Sequence, residues 1–142
     1  MQYRRVLVPL AGASVDADVI RIAVALTKAM RAEIIAVHVI EVRWNLALDA
    51  VLEAETERGE VLLESATKVA AQAGAKIETE LLQAREASAA IIDTARDREV
   101  DLILLGMPFR RRMGRVYVGK TVTEVYVGAP CAVLAYRQEE IR

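Results

Sequence analysis

The chain has 142 residues, of which 54% are hydrophobic and 27% charged, and its formal net charge is −1. That balance suits one packed globular domain over residues 1–142 and excludes a disordered chain. The near-neutral charge gives no electrostatic footprint for nucleic acid or an anionic membrane surface.

One cysteine, Cys131, excludes an internal disulfide and suits a reducing compartment. Met1-Gln2-Tyr3-Arg4-Arg5 runs straight into an apolar segment without signal-peptide architecture. No apolar run approaches the ~20 residues that span a bilayer. A cytoplasmic chain without membrane insertion is the expectation.

In chain order, Val6-Leu7-Val8-Pro9-Leu10 reads as a buried strand. Ala11–Ser14 is a turn with Ser14 placed to cap a helix, whose apolar face carries Val15, Val19, Ile22, Leu26 and Met30. Glu33–Ile40 is a second apolar strand. The irregular stretch Glu41–Asp49 contains Trp44, expected to cap the core. A long helix is expected over most of Ala50–Ala73, ending at Gly74. Ile77–Leu82 alternates in part, as a half-exposed edge strand does. Ala84–Arg98 reads as helix, and Asp101–Leu105 as a fourth, fully apolar strand ending at Gly106. Met107–Val118 is an Arg- and Gly-rich loop, Lys120–Val127 a short helix, and Cys131–Tyr136 a last strand after Pro130.

Five short apolar strands alternating with helices imply an α/β fold: an open parallel sheet with helices on both faces, a Rossmann-like three-layer sandwich. In such sheets ligands bind outside the carboxyl ends of the strands, where the strand order reverses. The candidate loops are therefore Pro9–Ala13, Val39–Asn45 and Gly106–Thr121.

Four segments carry a family resemblance: Val6-Leu7-Val8-Pro9, His38-Val39, Asp101-Leu102-Ile103-Leu104-Leu105-Gly106, and Gly128-Ala129-Pro130-Cys131-Ala132-Val133-Leu134. In their order and spacing the chain resembles the universal stress protein family over nearly its whole length. The resemblance implies strand order 3-2-1-4-5 and a homodimer through antiparallel pairing of Cys131–Tyr136. It also implies a regulatory, non-catalytic stress-response role, with ATP or AMP as the ligand.

The family's nucleotide-binding branch has the pattern Gly, two residues, Gly, nine residues, Gly, then Ser or Thr. Gly106 and Gly119 match the outer glycines, while Phe109 stands at the second and Lys120 at the hydroxyl position, followed by Thr121. Ala11 stands where the branch has an aspartate. A phenylalanine intrudes where glycine lets backbone approach a phosphate, and alanine offers no polar contact. The resemblance thus implies a divergent phosphate loop. Its cofactor-binding candidates are Pro9, Leu10, Ala11, Val39, Leu105, Gly106, Gly119, Lys120 and Thr121. Arg110, Arg111, Arg112 and Arg115 add positive charge to the same loop.

The alternative is a nucleotide-free dimerisation or regulatory module, such as a domain of a parent membrane transporter, which Ala11 and Phe109 favour. Gly114–Thr121 also fits the P-loop pattern. A P-loop follows its strand almost immediately, however, and here the fourth strand ends near Gly106. No catalytic set and no metal site is expected: the chain has one histidine, His38, and no Cys/His cluster. His38 is expected to be structural, Cys131 a buried small hydrophobe, and Glu53, Glu55, Glu57 and Glu60 a solvated helix face.

Overall fold

A computed structural model describes residues 2–109, 111–112, 115–116 and 118–139, without the side chains of 111, 112, 115 and 116. The elements are β1 (Arg5–Pro9), α1 (Asp16–Thr27), β2 (Glu33–Glu41), α2 (Glu53–Gln72), β3 (Glu78–Ala84), α3 (Ala87–Asp97), β4 (Leu102–Met107), β5 (Arg111–Arg112), β6 (Arg115–Val116), α4 (Lys120–Gly128) and β7 (Ala132–Arg137).

The main sheet is parallel, in the order β3-β2-β1-β4-β7. Counted by its own five strands this is 3-2-1-4-5, as expected. The central strands are apolar throughout because both faces are covered. Val6, Val8, Ile34, Ala36, Leu102 and Leu104 pack under α1 and α2. Leu7, Ile35, Val37, Ile103 and Leu105 pack against Ile91 and Ala95 of α3 and Val125 of α4. The strands β3 and β7 lie at the edges and are only partly buried.

Several boundaries differ from the sequence expectation. Helix α1 starts at Asp16 behind Val15, and no side chain caps it. The Ser14 hydroxyl instead donates to Oε1 of Gln138 at 3.1 Å, tying the first loop to the segment after β7. Helix α2 begins at Glu53, again without a capping side chain. Its end is as expected: Gly74 has φ +88°, and the Ala75 and Gly74 amides donate to the Ala70 and Ala71 carbonyls at 2.9 and 3.0 Å.

The loop after β4 holds an antiparallel two-residue ladder, Arg111↔Val116 and Arg112↔Arg115, where none was expected. Arg110, Gly114 and Tyr117 lie outside the described residues, so the P-loop pattern is described only in part. Its described part runs through β6 before α4 begins, unlike a turn leading straight from strand to helix. Among the described residues no helix is long and apolar enough to cross a membrane.

Candidate functional site

Strand β1 lies between β2 and β4, and the helices that follow β1 and β4 pack on opposite faces of the sheet, α1 on one and α4 on the other. At the carboxyl ends of these three strands is a cavity of about 260 Å³. Its walls include Pro9, Leu10 and Ala11 after β1, Val39 in β2, Leu105 and Gly106 in β4, and Thr121 at the start of α4. Seven of the nine candidate residues thus meet here. Gly119 and Lys120 do not line the cavity. The Lys120 side chain is 77% exposed, with Nζ 4.0 Å from the Glu124 carboxylate.

Each candidate position has a local physical cause. Pairing of β1 with β2 continues past the strand through the Leu10 amide, which donates to Val37 O at 2.8 Å. His38 Nδ1 stands 2.7 Å from Leu10 O, so this nitrogen carries the hydrogen and donates to the first loop. That is the structural role expected of the one imidazole. Beyond Leu10 the chain reverses through Gly12, at φ +83°, a conformation suited to glycine. Asp16 closes this turn, accepting the Gly12 and Ala11 amides at 2.8 and 3.5 Å. Burial pushes the Asp16 carboxyl above its ordinary value, and the amides of Gly12 and Ala11 and the nearby His38 offset part of that.

The two outer glycines do different things. A β-carbon on Gly106 would meet Val19 and Val15 of α1, so this glycine lets β4 lie close under the helix. A β-carbon on Gly119 would meet nothing within 4 Å. Gly119 therefore borders open space beside the first turn of α4. Between them, Phe109 does not line the cavity, and the Arg137 guanidinium lies 4.8 Å from its ring centroid.

Glu41 was missed by the sequence reasoning. It ends β2, lines the cavity, and its Oε2 accepts the Ala87 amide at 2.9 Å at the start of α3. An acidic residue closing an apolar strand at the reversal point was the available signal.

Trp44 does not cap the core. It is 78% exposed, and the Arg85 guanidinium lies 5.0 Å from its ring centroid. Cys131 is partly buried, just ahead of β7. Among the described residues no group of three or more His, Cys, Asp or Glu is placed to hold a metal ion.

A larger groove of about 790 Å³ lies between α1 and α2, floored by Ala17, Leu62 and Ala66, with Val61 58% exposed on its rim. No loops from separate strands converge there, and the fold rule favours the smaller strand-end cavity as the site.

A model of the universal stress protein family matches residues 2–137. The chain is 28% identical to a universal stress protein of Methanocaldococcus jannaschii, covering 96% of this chain and 83% of that protein. The structure of a universal stress protein from Archaeoglobus fulgidus in complex with dAMP is similar, with a TM-score of 0.75 at 19% identity. That match covers 95% of this chain and 98% of that one. A universal stress protein in complex with cAMP gives a TM-score of 0.71 at 18% identity, covering 96% and 98%. At such identities these two structures speak to the fold.

Proposed function

This chain belongs to the universal stress protein family, and on that premise we propose that it is a regulatory stress-response domain binding an adenine nucleotide or related phosphorylated ligand without turning it over. The observation that carries this reading is the strand-end cavity, where loops from β1, β2 and β4 meet the first turn of α4. The dAMP- and cAMP-bound structures of similar fold support an adenylate as the ligand. Backbone groups of Pro9–Ala11, Val39 and Gly106, with the Thr121 hydroxyl, supply the contacts. The amides at the start of α4 favour an anion.

Isothermal titration with AMP, cyclic AMP and ATP tests the proposal. Saturable heat from at least one of them is expected, and none at millimolar concentration would overturn it.

A homodimer through β7 belongs to the same proposal. This edge strand exposes Leu134 at 46%, and α4 exposes Tyr126 and Val127 at 59% and 82%. Uncovered apolar residues beside a free strand edge favour pairing with a second copy. Light scattering is expected to give the mass of a dimer at micromolar concentration, and Leu134→Asp that of a monomer; a monomeric wild type would contradict it.

A further inference from the structure

Strand β3 is an outer strand of the sheet and pairs with β2 on one side only. Its Ala84 carbonyl accepts the Val42 amide at 2.8 Å and so points inward, toward β2. Backbone groups alternate in direction along a strand, so the amides and carbonyls of Leu81 and Gln83 point outward. The amino half of this edge is guarded by charge, because Arg98 bonds both Glu78 and Glu80 there. The carboxyl half is apolar instead. Leu82 and Ala84, two apart and therefore on one face, line a groove of about 510 Å³ whose other wall carries Ala89 and Ala90 of α3.

Trp44 stands exposed in the lining of this groove. Its loop is fixed from β3 and the residue after it: Gln83 Nε2 donates to the carbonyls of Leu48 and Ala50, and Arg85 to that of Arg43 while lying over the Trp44 ring. An exposed tryptophan held in place before binding is a favourable anchor for a partner. Glu86 and Asp93 line the same groove, about two turns of helix apart. Arg96 lies 3.6 Å from Asp93, an exposed pair that gives way to a partner's cation at little cost.

We propose that the carboxyl half of β3 and this groove form a docking surface for an extended segment of another protein. The segment adds a strand to the sheet at Leu81 and Gln83, seats an apolar side chain against Trp44 and α3, and brings a basic side chain to Glu86 or Asp93. Positions two apart on a strand share a face, so the recognised pattern is an apolar residue with a basic one two positions away. The proposal is independent of the nucleotide reading, and the surface lies at the opposite edge of the sheet from β7.

The probe is a synthetic peptide of threonines with isoleucine at its centre and lysine two positions to either side, titrated into 15N-labelled protein. The Leu81 and Gln83 amides and the Trp44 indole are expected to shift along one saturating curve, and acrylamide quenching of Trp44 to fall. N-methylation of one alternate set of peptide amides is expected to abolish binding, and of the other set to leave most of it, because a strand offers only one set to its neighbour. Glutamate in place of the lysines, or Trp44→Ser in the protein, is expected to weaken binding by about tenfold or more. No shifts at millimolar peptide overturn the proposal, as do equal effects of the two methylation sets. A wild-type assembly that the peptide dissociates would assign this edge to a second copy of the chain and overturn the foreign partner.

Discussion

A β-carbon on Gly106 would collide with Cγ2 of Val19, so β4 and α1 could not keep their present spacing. The first glycine of the phosphate pattern is thus also a packing glycine, with β-branched side chains above it that have few alternative rotamers. Gly106→Ala is expected to destabilise the fold by about 1–3 kcal/mol through overpacking. Urea unfolding measures this, and Gly106→Ala/Val19→Ala should recover more stability than the two single changes predict by addition. A neutral Gly106→Ala would show that the spacing is not tight.

The first loop depends on Asp16, whose carboxyl burial pushes above its ordinary value of 3.8. A carboxyl with a raised folded-state pKa favours folding when protonated. That contribution is complete below the unfolded value and is lost as pH rises through the folded one. Asp16→Asn keeps an oxygen for the Gly12 amide and removes the titration. The wild type is therefore expected to lose stability relative to Asp16→Asn as pH climbs from below 3.8 toward neutrality. Paired urea unfolding curves check this, and a difference independent of pH would contradict it.

Trp44 is held from outside the core. Arg85 lies over its ring and donates to the Arg43 carbonyl at 2.6 Å, while Gln83 Nε2 donates to the carbonyls of Leu48 and Ala50 at 3.0 and 3.1 Å. Acrylamide should quench the fluorescence of this one tryptophan nearly as well as that of free indole. Arg85→Ala should shift its emission and cost about 1 kcal/mol, from a cation–π contact and a hydrogen bond near the surface. Strong protection from quenching would restore the core-cap reading.

These residues also show what the sequence could and could not reveal. The three central strands were legible because burial on both faces leaves an apolar run, and β3 because an edge strand keeps polar positions such as Glu78 and Glu80. Gly74 marked the end of α2 by its own conformational freedom. The starts of α1 and α2 were not legible, since neither is capped by a side chain. Ser14 looked like a cap, but its partner Gln138 is remote in sequence. Trp44 misled for the same reason: hydrophobicity argued for the core, whereas its position follows from Arg85, remote in sequence and just after β3. At the site, the loops could be placed from strand order alone. Lys120 pointing away and Glu41 pointing in depend on side-chain partners that one-dimensional spacing does not carry.

The most direct test of the central claim, an adenine nucleotide at the strand ends, is a titration of 15N-labelled protein with AMP followed by amide chemical shifts. The amides of Ala11, Val39, Gly106 and Thr121 are expected to move together along one saturating curve. No movement at millimolar AMP, or movement confined to Ala17, Val61 and Leu62 in the groove between α1 and α2, would contradict it.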